Sequence, residues 1–154
     1  MGRSRQLRSG ASSPHRVAGA RALKTYEYDA GQPWNRRKHA WASSTAGFEK
    51  RGETVIAKCP AGITREHAER LLNSATRLEL ETPRVTGPGP DRIYVFAQGV
   101  LYRAMRTVAG RSYHAFPEHA KGISDLPAAH QKRLWDWARA QGFEDPVKKW
   151  LKQT

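Results

Sequence analysis

The stretch from Arg92 to Thr107 constrains the fold of this chain most, because its residue pattern fits one local structure. Ile93-Tyr94-Val95-Phe96 is a run of β-branched and aromatic residues, Gln98-Gly99 is a tight break, and Val100-Leu101-Tyr102-Arg103-Ala104-Met105-Arg106 resumes the pattern. Such text predicts an antiparallel hairpin. With a side-chain period of two, Tyr102, Ala104 and Arg106 share one face while Leu101, Arg103 and Met105 share the other, so each face carries one arginine. A turn at Ala109-Gly110-Arg111 leads into Ser112-Tyr113-His114-Ala115-Phe116, a third strand stopped by Pro117.

Around this sheet the pattern predicts helices. Thr64 is placed as an N-cap, Glu66 falls in the first turn, and Ala68, Leu71, Leu72 and Ala75 recur at helical spacing, which predicts a helix from Thr64 to Thr76. Asp125 reads as the cap of a helix near 126–141 with Pro127 at its second residue, apolar at Leu126, Leu134, Trp137 and Ala138 and ended by Gly142. Asp145-Pro146 reads as the cap of a last helix near 146–152 bearing Val147, Trp150 and Leu151, whose Lys148, Lys149 and Lys152 complement the helix dipole. Glu53 to Lys58 reads as a short strand closed by Cys59-Pro60-Ala61-Gly62, and Thr82 to Pro90, with three prolines and two glycines, as a loop. The expected fold is α+β: a small, mostly antiparallel sheet centred on residues 92–116, covered by three short helices.

Length and charge bound what such a fold does. At 154 residues the chain has room for one domain with a modest core, which is placed at 25–154. Lys and Arg number 27 against 14 for Asp and Glu, a formal charge of +13, so a polyanion is the first partner to consider. No apolar run approaches a membrane span, and one cysteine, Cys59, builds neither an internal disulfide nor a cysteine zinc site. A cytoplasmic protein without membrane partners is expected. No phosphate-binding glycine motif and no paired metal-ligand spacing appears, so neither a cofactor nor a metal is expected.

Before Tyr26 there is no acidic residue, and Arg3, Arg5, Arg8, Arg16, Arg21 and Lys24 supply +6 of the +13. Residues 1–24 therefore read as a flexible basic arm whose arginines contact phosphates, or, more plainly, as a solvated tail. An organellar transit peptide shares this composition, although only Leu7, Val17 and Leu23 are large and aliphatic; a secretory signal lacks its apolar region here. Trp34 and Trp41 bracket Arg36, Arg37, Lys38 and His39, an interleaving that suits single-stranded nucleic acid and is equally met by two core tryptophans beside a solvated basic face.

One dense cluster has the residue types of catalysis. His114, His119, Glu118, Arg103, Arg106 and Tyr113, with Arg111 and Lys121 beside them, lie within about twenty residues on strands and the loop that leaves them. Metal-independent RNA cleavage needs a base for the 2′-hydroxyl, an acid for the leaving oxygen and cations for the phosphorane, and these side chains can fill those roles. A packed His114 and a His119 in a basic loop explain the same text.

The helix from Thr64 to Thr76, the hairpin from Arg92 and the Tyr113-His114-Ala115-Phe116-Pro117 stretch resemble the helix-then-sheet layout of small bacterial ribonuclease toxins. These are the broad barnase, EndoU, colicin and RelE-like group, including C-terminal domains of polymorphic toxins. The resemblance covers roughly residues 60–120 and implies metal-independent RNA cleavage, with His114, Arg103 and Arg106 as the transferred positions. The long C-terminal helical segment and the basic arm depart from it. Three expectations stand: a ribonuclease of toxin type; a non-catalytic nucleic-acid-binding or ribonucleoprotein component, RNA before DNA; and a module for an acidic protein partner or inhibitor.

Overall fold

The computed structural model describes residues 24–31, 43–82, 85 and 87–154. Among the described residues seven strands and four helices follow one another as β1 (Glu27–Tyr28), β2 (Gly47–Arg51), β3 (Thr54–Lys58), α1 (Arg65–Leu72), β4 (Leu78–Leu80), β5 (Arg92–Ala97), β6 (Val100–Val108), β7 (Ser112–Pro117), α2 (Ala120–Ser124), α3 (Ala128–Ala140) and α4 (Glu144–Leu151). The fold is α+β. A five-stranded sheet runs β1-β7-β6-β5-β4, antiparallel throughout except for β1, which lies parallel to β7; β2 and β3 form a separate antiparallel pair.

The hairpin forms as expected, turning at Gln98 (φ 51°) and Gly99 (φ 77°). Two successive positive φ angles match the right-handed twist of the flanking strands, and glycine carries the second without a Cβ penalty. Its register pairs Tyr94 with Arg103 and Ile93 with Ala104, and β7 continues it, pairing Arg103 with Phe116 and Met105 with His114. Directly paired residues point to the same side, so the register assigns every side chain to a face.

On one face Ile93, Val95, Ala104 and Tyr113 pack with Tyr26 and with Leu72 of α1. On the other, Leu78, Leu80, Tyr94 and Leu101 pack with Ile123, Leu126, Leu134, Trp137, Val147 and Trp150 of the C-terminal helices and the turn between α2 and α3. The sheet is thus a middle layer between one short helix and three others.

Several boundaries differ from the sequence reading. Thr64 does cap α1, accepting a hydrogen bond from the His67 amide at 3.1 Å, but the helix ends at Leu72 and leaves Ala75 exposed. The Asn73 side chain ends it by clasping Tyr26: Oδ1 accepts from the Tyr26 amide at 2.7 Å and Nδ2 donates to the Tyr26 carbonyl at 2.8 Å. Asp125 does not cap α3. It is the C-cap of α2, a helix the sequence reading treated as loop, and Pro127 stands at the start of α3. Likewise Phe143 precedes α4, and Asp145 and Pro146 lie within its first turn, where a missing amide hydrogen costs nothing. Strands β1, β2 and β4 were not expected; each is short or lacks clear alternation.

Candidate nucleic-acid interface

The register divides the residues singled out in the sequence. Arg103, His114 and Glu118 fall on the face toward the C-terminal helices, together with Arg92, Tyr94, Met105 and Phe116; Arg106 and Tyr113 pair with each other on the opposite face.

The centre of the first face is built around a carboxylate. Glu118 has no exposed surface, and its two oxygens take three donors: the Tyr94 hydroxyl at 3.0 Å, Arg103 Nη1 at 3.4 Å and the His119 amide at 3.0 Å. Its own carbonyl accepts from Trp150 Nε1 at 2.8 Å and its amide donates to the Leu101 carbonyl, also at 2.8 Å. Burial, and then the Glu118 charge, push the Tyr94 phenol well above its ordinary range, so it stays a donor.

Arg103 links this buried centre to a half-buried row. Its guanidinium carbon lies 4.6 Å from the Phe116 ring centroid, a cation–π contact that fixes the plane of the group, and the side chain is 17 % exposed. The His114 ring follows at 6.4 Å from Phe116. In the next row of the register stand Arg92, Met105 and His114, all partly exposed. His114 Nδ1 lies 2.9 Å from the Asp29 carbonyl, which can only accept, so Nδ1 carries the proton. Its Nε2 is shielded from solvent. The face therefore holds two arginines and a histidine around the enclosed Glu118 carboxylate, with the Asp125 carboxylate, already paired with Lys121, in reach of Arg103 and that of Asp29 in reach of His114.

The remaining candidates are held elsewhere. His119 caps α2, its Nδ1 accepting from the Gly122 amide at 3.1 Å, with Phe48 edge-on at 6.1 Å. The Tyr113 hydroxyl donates to the buried Pro90 carbonyl, and burial raises its pKa. Arg111 is exposed and meets Glu27 at 3.2 Å, while Lys121, 75 % exposed, meets Asp125 at 2.8 Å and holds that carboxyl below its usual range. Arg3, Arg5, Arg8, Trp34, Arg36, Arg37, Lys38 and Trp41 lie outside the described residues. Cys59 faces Ala115, and burial pushes its thiol up to about 11, which keeps it protonated and unreactive near neutrality.

Arg92 and Phe116 were missed as site residues, although the signal existed: once the turn is set at 98–99, alternation alone puts Arg92 on the Arg103 face. A groove of about 850 Å³ on the other side of the molecule offers Arg65, Arg70 and Arg111 but also Glu27, Glu66 and Glu69, so it has no net preference for an anion. Among the described residues no group of three or more His, Cys, Asp or Glu side chains is placed to hold a metal ion, and no helix is long and apolar enough to cross a membrane. Comparison with protein-family models, curated proteins and solved structures finds no match to this chain.

Proposed function

We propose that this protein binds RNA through the half-buried sheet face that carries Arg92, Arg103 and His114. The observation that carries the reading is the charge pattern of that face: two arginines and a histidine around an enclosed carboxylate, in a chain of net charge +13. Guanidinium groups beside aromatic rings suit phosphates and bases together. The resemblance of the sequence over roughly residues 60–120 to ribonuclease toxins is the ground for placing RNA before DNA as the polymer.

Retention without cleavage fits the way the titratable groups are held. A general acid and a general base must both reach the reacting phosphate. Glu118 is fully enclosed and already serves three donors, His119 Nδ1 is occupied by the Gly122 amide, and Tyr113 is on the other face. Cleavage keeps one observation in its favour, since the Asp29 carbonyl fixes the His114 tautomer with Nε2 as the basic nitrogen, but that nitrogen too is shielded from solvent and needs a local opening to reach a phosphate.

One experiment separates these. Incubating the protein with labelled RNA in EDTA, beside His114→Ala, and reading gel retention and fragment length together, should give retention that weakens steeply with salt and no fragments. Fragments that disappear in His114→Ala would replace binding with ribonuclease activity. No retention at low salt would leave an acidic protein as the partner.

A further inference from the structure

We infer that the polymer taken by this face is single-stranded and that one of its backbone phosphates sits between Arg92 and Arg103; the inference rests on the reading of the face as a nucleic-acid interface. Two properties of the surface cations favour a single strand: their depth, and which of them are already engaged. Arg103 is 17 % exposed, whereas Lys121, Lys132 and Lys148 are 75 %, 77 % and 52 % exposed. A duplex keeps its phosphates on a stiff, convex surface and meets projecting cations first. Here those three cations are paired, Lys121 with Asp125, Lys132 with Asp136 and Lys148 with Glu144, while the exposed Lys149 and Lys152 at the end of α4 attract any polyanion alike and do not favour a duplex.

The recessed cations are differently placed. Arg103 has five N–H donors, of which Nη1 meets Glu118 at a loose 3.4 Å, and its buried Nε has no hydrogen-bond partner among the described residues. Glu118 is shared with Tyr94 and with the His119 amide, so it neutralises Arg103 only in part. Arg92 makes no ion pair among the described residues, its one side-chain partner there being the neutral Tyr94 hydroxyl, and it is the diagonal neighbour of Arg103 across the β5–β6 ladder. Two forks on one face, one of them held in plane by Phe116, match the oxygens of a phosphodiester. Met105, half-buried between Arg92 and His114 in the register, gives the adjoining sugar or base an apolar seat. An extended single strand can bend its backbone into such a recess; a duplex cannot.

The test compares a labelled single-stranded RNA, the duplex it forms with its complement, and single-stranded DNA of the same sequence, each against the wild-type protein, Arg103→Lys and Arg92→Gln. Arg103→Lys keeps a positive charge beside Glu118, and Arg92→Gln leaves the Glu118 ion pair alone; melting curves confirm that each variant folds. The single strand should bind at least about tenfold more tightly than the duplex, and each substitution should weaken it about tenfold, the size of a lost charge-assisted hydrogen bond, without changing duplex binding. Single-stranded DNA binding as tightly as RNA would keep the phosphate site and remove the preference for RNA. Equal retention of duplex and single strand would overturn this inference while leaving the RNA-binding face in place, whereas single-strand affinity unmoved in both variants would overturn the inference and move RNA binding off this face. Failure of the wild-type protein to retain any of the three polymers would overturn both.

Discussion

Glu118 and Gly122 are bound to one another by space. A Cβ built on Gly122 would lie 2.0 Å from Glu118 Oε1 and 2.7 Å from its Cδ, so any side chain at 122 displaces a carboxylate that has nowhere exposed to go. Displacing it strands the Tyr94 hydroxyl, the His119 amide and part of the Arg103 charge together. Gly122→Ala should therefore cost about 3–5 kcal/mol, the range for breaking a buried ion pair, and lower Tm by roughly 10 °C. A thermal melt within about 2 °C of wild type would show that α2 shifts at little cost. None of this was legible in the sequence, because a glycine inside Ala-Lys-Gly-Ile-Ser argues against a helix and so hides the reason that only glycine fits there. Glu118, read as a candidate acid, is a charge whose partners come from β5, β6 and the start of α2, and no linear spacing reveals that convergence.

At the scale of elements, α3 shows how a helix can close a sheet. Its His130, Arg133 and Trp137, spaced three and four apart on one side, donate to the carbonyls of Glu81, Glu79 and Thr76, at 3.2, 3.3 and 2.6 Å. These carbonyls lie on and beside β4, the edge of the five-stranded sheet, where unpaired backbone groups would otherwise invite another strand. Trp137→Phe keeps the ring in the core and removes only the indole donor, so it should cost about 1–2 kcal/mol. Combining it with Arg133→Ala should add concentration-dependent self-association, read by sedimentation or light scattering; a variant that stays monomeric at high concentration would show that the seal is dispensable. The apolar side of α3, at Leu134, Trp137 and Ala138, was readable from helical periodicity. Its donor side was not, since a three-residue strand such as Leu78–Leu80 is too short to announce the edge that needs covering. The β5–β6 hairpin stood out for the opposite reason: long strands, a two-residue turn and local pairing leave one solution.

Across the whole molecule, charge and site act through different observables. Residues 1–23 carry Arg3, Arg5, Arg8, Arg16 and Arg21 with no acid, a feature read directly from composition. The described fold begins to make contacts at Lys24, whose carbonyl accepts from Arg77 Nη2, and at Tyr26, which the Asn73 clasp holds against Tyr113. Because residues 1–23 have no apolar stripe to bury, a deletion that spares Lys24 should leave the melting temperature unchanged. Its effect on RNA belongs to the salt dependence: if all five arginines meet phosphates, the slope of log K against log salt should fall by about 3.5, at roughly 0.7 for each phosphate of a single strand. Arg103→Lys keeps its charge and should lower affinity at every salt concentration with nearly the same slope. Measuring both proteins across one salt series thus separates long-range attraction from recognition on the sheet face. An unchanged slope in the deletion would assign the arginines of residues 1–23 to a solvated tail and place the electrostatic contribution on residues 24–154, which retain +8 of the +13 once those five arginines are removed.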